Sequence, residues 1–237
     1  MPQVTILREK KAYDALSSES RLKILKLLNK SPLSVEEIAE SMNLQPITIR
    51  HHLKSLQDAG FIESYEERKG NVGRPRVLYQ IAREPTTVGY PKRRYLNLSK
   101  FFIKTLQSVI GSTRSNNLLK KVGENMGTNV IQEIESNHEV KKWTPEAFET
   151  FFIKEYLEKA GSEPEIIKTN KNQVVYRVHN CLFLELAVKM PETMCDILHE
   201  SFHEGVTKAM GGKPKITKLT CRGHGDSYCE HNCEWQD

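Results

Sequence analysis

The stretch from Leu33 to Ala82 constrains this chain more than any other. Ser34 and Glu37 stand at capping-box spacing before an apolar run, which predicts a short helix over Val35 to Met42. Asn43-Leu44 reads as a tight turn, and Pro46 suits the first position of a second helix. In that second helix Ile49, Leu53 and Leu56 recur at i, i+4 and i+7, the spacing of one buried stripe. After Gly60, Phe61-Ile62 opens a strand, Gly70-Asn71-Val72-Gly73 supplies a tip, and Val77 to Ile81 returns. Helix, turn, helix and hairpin make a winged helix-turn-helix, which sets one helix in a major groove and a ribbon over phosphates.

The faces that the stripe leaves free carry Gln45, Thr48, Arg50, His51 and Lys54, the candidates for reading base edges. The wing carries Arg68, Lys69, Arg74 and Arg76, candidates for phosphate or minor-groove contact. A small helical domain with a merely solvated polar face would explain the periodicity equally well. The capping box, the basic second helix and the four wing cations together favour the nucleic-acid reading. Charge is distributed accordingly. Residues 1–99 hold 17 Lys and Arg against 11 Asp and Glu, and the remainder holds 18 against 19. The positive excess therefore sits with the proposed groove helix.

At these residues the segment resembles winged-helix regulators of the ArsR type. QPITIRHHLKSLQDAGFI is similar to their recognition helix, and GRPRVLYQI to the wing of SufR-like repressors. The resemblance implies a sequence-specific DNA-binding regulator, a repressor, acting as a homodimer on a pseudo-palindromic double-stranded operator.

The 237 residues leave room for a second domain. No signal peptide is apparent, and no apolar run approaches the roughly 20 residues of a membrane span, so a soluble cytoplasmic protein with no membrane partner is expected. The expected fold class is α+β. A winged helix-turn-helix over residues 1–85 precedes a linker over 86–98, in a stretch where Pro85, Gly89 and Pro91 prevent regular structure. A helical dimerisation region and a small α+β sensor domain occupy 99–237. Residues 2–14 read as a short extra helix or a dimer arm. From Ser99, Phe101, Phe102, Leu106, Val109 and Ile110, and then Leu118, Leu119, Val122, Met126, Val130, Ile131 and Ile134, fall at helical spacing. Either a bundle core or a dimer interface explains them. A third helix is predicted from Thr144 to about Ala160. A hairpin is predicted around Asn170-Lys171-Asn172, a helix from Pro191 to about Met210, and closing strands over Lys215–Leu219 and Tyr228–Trp235.

Five cysteines suit thiols or metal ligands better than a disulfide framework. Cys181 follows a strand, Cys195 sits in the first turn of a helix, and Cys221 and Cys229 flank a glycine-rich loop. Thiolates arriving from loops and helix starts suit an iron–sulfur cluster, and Gly223 and Gly225 would offer it backbone N–H groups. Zinc is the alternative metal, since His199 and His203 follow Cys195 on one helix face, although no C-x2-C knuckle accompanies them. Dithiol redox sensing and core filling also remain open. RVHNCLFLELAVKMPETMC, followed by CRGHGDSYC, is similar to the C-terminal region of SufR-like regulators. That resemblance implies an iron–sulfur cluster on Cys181, Cys195, Cys221 and Cys229, with Cys233 as an alternative ligand. The region is more faintly similar to 4-vinyl-reductase-type sensor domains, which bind small ligands. An enzyme with a DNA-binding appendage is a further class, but the chain shows no G-x-S-x-G, P-loop or dinucleotide fingerprint.

Overall fold

The computed structural model describes residues 10–67, 75–82, 86, 88–89, 93–211 and 214–235. The chain divides into two compact units, Met1–Arg93 and Arg94–Asp237.

In the first unit, α1 is helical over residues 10–16, followed by α2 (Glu19–Lys30), α3 (Val35–Met42) and α4 (Pro46–Asp58). Strands β1 (Ile62–Glu67) and β2 (Arg76–Ile81) pair antiparallel, from Ile62 opposite Ile81 to Glu67 opposite Arg76. The capping box closes at the start of α3: the Ser34 amide donates to Glu37 Oε2 at 2.8 Å and the Glu37 amide donates to Ser34 Oγ at 3.3 Å. Asn43 ends that helix in the left-handed conformation, φ 51°, which sets the sharp turn into α4. Leu33 and Tyr79 exchange backbone hydrogen bonds at 3.0 and 2.8 Å, tying the lead into α3 to the wing. Ile24, Leu28, Ile38, Ile49, Leu53 and Leu56 form the core. Ala12 and Ala15 are fully buried within it, so residues 10–16 pack as an extra helix, while residues 2–9 of the stretch read as helix or arm lie outside the described residues.

The second unit opens with α5 (Tyr95–Ile110) and α6 (Ser112–His138). The helix α7 (Pro145–Ala147), capped by the Thr144 hydroxyl, continues into a π-helical segment, Phe148–Leu157. Strands β3 (Pro164–Asn170) and β4 (Gln173–Val178) form the expected hairpin, and the short α8 (Leu184–Ala187) follows. A second π-helical segment, Glu192–His199, runs into α9 (Glu200–Ala209). The sheet is completed by β5 (Pro214–Thr220) and β6 (Cys229–Trp235), in the antiparallel order β3-β4-β6-β5. The helices of this unit cover the sheet through an aromatic core of Phe148, Phe152 and Tyr176, joined by Val206, Ile216 and Cys233. The elements are those of the α+β class.

Two expectations need correction. Helix α5 begins at Tyr95, inside the stretch read as linker, because no breaker follows Pro91 and the Tyr95, Leu98 and Phe102 spacing is already helical. The apolar residues of α5 and early α6 are not a core of this chain: Phe101, Phe102 and Val109 are 63%, 61% and 74% exposed, and Leu118, Val122 and Met126 are also exposed. Of that series Ile131 and Ile134 are the two that are buried.

Candidate functional site

Helix α4 buries Ile49, Leu53 and Leu56 completely or nearly so, which turns its other side outward. Gln45, Arg50, His51 and Lys54 are exposed there and Thr48 is half-buried. Ile47 is 61% exposed and shares a face with Arg50, His51 and Lys54 at i, i+3, i+4 and i+7; apolar periodicity marks buried positions and gives no signal for an outward apolar residue such as this one. Arg50 Nη2 lies 3.3 Å from Glu36 Oε1 on α3. Burial, followed by the positive charge of Arg21 and the neighbouring His51, pushes the His52 pKa down.

On the wing, Arg68, Lys69 and Arg74 lie outside the described residues. Arg76 is anchored, its guanidinium 2.5 Å from Glu37 Oε2 and 3.3 Å from Ser34 Oγ. The Ser34 amide and then Arg76 hold the Glu37 carboxyl below its ordinary range.

In the second unit Cys195, Cys221 and Cys229 are buried around Ala187 and Met194, with Cys181 packed against them. After burial, the neighbouring Cys221 thiol is the next cause that raises the Cys195 thiol. The Arg222 amide donates to Cys229 Sγ at 3.3 Å, and the Arg222 guanidinium, bonded to the His179 carbonyl, contributes positive charge beside Cys181 and Cys229. The loop is shaped by Asp226, whose carboxylate accepts from the Cys221 amide at 2.8 Å. A side chain at Gly223 would place its Cβ 2.5 Å from Cys195 Sγ, so only glycine lets this backbone lie against the sulfur. Burial pushes the thiols of Cys181 and Cys195 up, and that of Cys229 up to about 12. Cys233 is fully buried in the aromatic core, outside the group formed by the other four.

Beside the cysteines lies a constellation that the sequence reading caught only in part. His199 ends the second π-helical segment, His203 sits one turn on in α9, and His231 faces them from β6, the central strand that also carries Cys229. Ring centroids are 4.4 Å apart for His199 and His203, 4.7 Å for His203 and His231, and 5.7 Å for His199 and His231. One ring nitrogen from each lies within 4.8 Å of the others, and among the described residues no other group of three or more His, Cys, Asp or Glu side chains converges so closely. Desolvation lowers all three pKa values, that of His199 to about 4, so the rings are neutral at pH 7. The Nδ1 atoms of His203 and His231 are buried without a hydrogen-bond partner. The three histidines and four of the cysteines border one cavity of about 160 Å³ whose remaining wall is mostly apolar, including Phe152, Phe183 and Leu198.

Residues 18–64 match the profile of the bacterial regulatory protein, arsR family. Two uncharacterised HTH-type transcriptional regulators of Methanocaldococcus jannaschii are similar to part of the chain. One is 41% identical over 54 residues, 23% of this chain and 57% of its own length. The other is 38% identical over 66 residues, 28% of this chain and 15% of its own. Among solved structures, a homodimeric winged helix-turn-helix DNA-binding domain from Mycobacterium bovis, a possible ArsR-family regulator, is 24% identical over 43% of this chain and 83% of that one, TM-score 0.30. The phenol-responsive sensory domain of the transcription activator PoxR is 13% identical over 79% of this chain and 90% of that one, TM-score 0.42. Both scores lie below 0.5, so neither likeness bears on function. Residues 18–64, which fold as the helix-turn-helix of a winged-helix unit, are thus similar to the arsR family of bacterial regulatory proteins.

Proposed function

We propose that the protein is a homodimeric DNA-binding transcriptional regulator, a repressor, whose second unit adjusts operator binding to the state of its cysteines. The observation that carries the DNA reading is the division of α4: Ile49, Leu53 and Leu56 are buried, while Ile47, Arg50, His51 and Lys54 form one outward face. Such a face fits a major groove, with Arg50 suited to a guanine edge and Ile47 to a thymine methyl. Gln45 and Thr48 flank it at the helix start, and the wing cations Arg68, Lys69 and Arg74 serve the phosphates. The exposed apolar face of α5 supports the dimer, and a two-fold protein reads a pseudo-palindrome. The test begins with sequences selected from a random duplex pool. Arg50→Ala or His51→Ala should then cost roughly 1–3 kcal/mol at the selected site and relax base preference there. Wild-type affinity and preference in both variants would remove α4 as the reader.

For the second unit the reading is an iron–sulfur cluster on Cys181, Cys195, Cys221 and Cys229. The Gly223 cradle against Cys195, the amide aimed at Cys229 and the buried Arg222 cation all suit an anionic thiolate-bound group. No three of these sulfurs join a group with ligand atoms all within 4.8 Å, so the spread favours a cluster over a single zinc ion. Such a cluster supplies a redox-sensitive centre. These residues would bind it, screen it from water and tie the β4 end, the second π-helical segment and the β5–β6 loop together. A dithiol switch is the second reading, favoured by the burial of Cys195 and Cys221 together in one group. Anaerobic purification with iron, sulfide and zinc analysis separates the two. Operator titrations of loaded protein, stripped protein, Cys195→Ser and Cys221→Ser should differ roughly 5- to 150-fold, the range of a 1–3 kcal/mol coupling. Equal affinities in all four would end the sensing idea.

A further inference from the structure

We infer that His199, His203 and His231 form a binding site for a single d-block dication, separate from the cysteine group and open on one side to the apolar cavity. The inference does not depend on which group the cysteines hold. Three elements deliver the ligands: the end of the second π-helical segment, one turn of α9, and the centre of the sheet at β6. The rings are inclined to one another at 57°, 70° and 78°, and one nitrogen from each lies within 4.8 Å of the others.

Hydrogen bonding supplies a second, independent observation. A neutral imidazole has one N–H and one lone pair, and both need partners when buried. The Nδ1 atoms of His203 and His231 are buried and have none. Two such orphaned atoms sit on adjacent rings, each of which also brings a nitrogen within 4.8 Å of a third imidazole, and together they point to a missing ligand. A d-block dication suits these three rings, since imidazole is its common ligand and binds through the neutral form that burial favours. Ligand nitrogens about 2.0–2.1 Å from an ion stand roughly 3.3 Å from one another in a tetrahedron. These three are already within 4.8 Å, so small ring rotations close the site.

The charge balance allows it. Lys218 is the nearby cation, but its Nζ is held by Asp196 Oδ1 at 2.7 Å and the Cys195 carbonyl at 3.1 Å, with Glu200 Oε2 at 3.9 Å. The two carboxylates bring more negative charge than that ammonium cancels. With three protein ligands the ion keeps a further position, and the histidines border the cavity. That position takes a small donor ligand, water or an anion, whose apolar portion the cavity would hold.

Cobalt(II) tests this, because its visible bands report coordination and thiolate ligation adds near-ultraviolet charge transfer. Reduced full-length protein would be titrated anaerobically with Co²⁺, beside His203→Gln, His231→Gln and a variant with Cys181, Cys195, Cys221 and Cys229 all replaced by serine. The histidine variants should each bind one equivalent fewer than wild type while the thiolate band is unchanged. The four-cysteine variant should keep one equivalent with visible bands and no thiolate band. If that variant does not fold, the histidine variants decide alone. Wild-type stoichiometry in them, thiolate bands lost together with the equivalent, or no Co²⁺ on a folded four-cysteine variant would overturn the site.

Discussion

The guanidinium of Arg76 reaches from β2 to the first turn of α3, where it meets both partners of the capping box. In the sequence this residue is one more wing cation; in the fold it fastens the wing to the start of the helix-turn-helix. Its effect is therefore on stability as well as on phosphate contact. The Glu37 carboxyl, held below its ordinary value of 4.5, contributes stability that is fully present above that value and is lost as pH falls through the lower folded value. Glu37→Gln should melt earlier than wild type at neutral pH and converge with it in acid. Because the pair is substantially exposed, the difference should stay below about 1 kcal/mol. Equal melting temperatures at both pH values would show that the ion pair contributes nothing. A contrasting case is Cys233, fully buried among aromatic side chains. Cys233→Ser should lose roughly 1–3 kcal/mol by burying a hydroxyl, with the iron and cobalt content of the folded protein unaltered. Chemical denaturation and metal analysis check the two halves of that statement.

Helices α6 and α9 approach so closely that no side chain fits at the glycines where they cross. A Cβ on Gly127 would fall on the backbone of Phe202 and Val206, and one on Gly205 on the carbonyl of Glu124. Gly127→Ala or Gly205→Ala should therefore push the helices apart and cost on the order of 1–3 kcal/mol or more, measured by denaturant midpoint. Such a requirement is invisible in a sequence, where a helical glycine looks merely unfavourable. Elements with a clear period were legible: the α4 stripe, the β3–β4 hairpin and the long helix ending in α9 follow from local spacing. The π-helical segments were not, because the apolar pattern of Phe148, Phe152 and Tyr156 suits either helical pitch, and packing decides it. Nor was His231 legible as a partner of His199 and His203, since a strand and a helix distant in sequence meet only through the sheet order. The four cysteines were easier, lying at element ends where a loop can bring them together.

Among the described residues, a large exposed apolar face belongs to α5 and early α6. Soluble monomers seldom leave Phe101, Phe102 and Val109 this open, and a second copy of the chain is the partner that the proposed two-fold regulator requires. Phe101→Ser combined with Val109→Ser should shift sedimentation from dimer towards monomer and weaken operator binding, with the melting of each unit nearly unchanged. A variant that still sediments as wild type would place the interface elsewhere. The apolar spacing of these residues was read correctly, but periodicity reports only that a face is to be covered, not by what. The order of the second sheet has a consequence for how the protein is made. Strand β6 lies between β4 and β5, although it follows both along the chain. A ribosome completing β5 has produced a strand whose sole neighbour in the sheet does not yet exist, beside a β3–β4 hairpin with an open edge. Cys229 and His231 arrive with the missing strand, so both the cysteine group and the histidine triad come into being in the same late step. The nascent second unit passes from carrying neither group to carrying both, with no stage at which one is complete and the other is still to come.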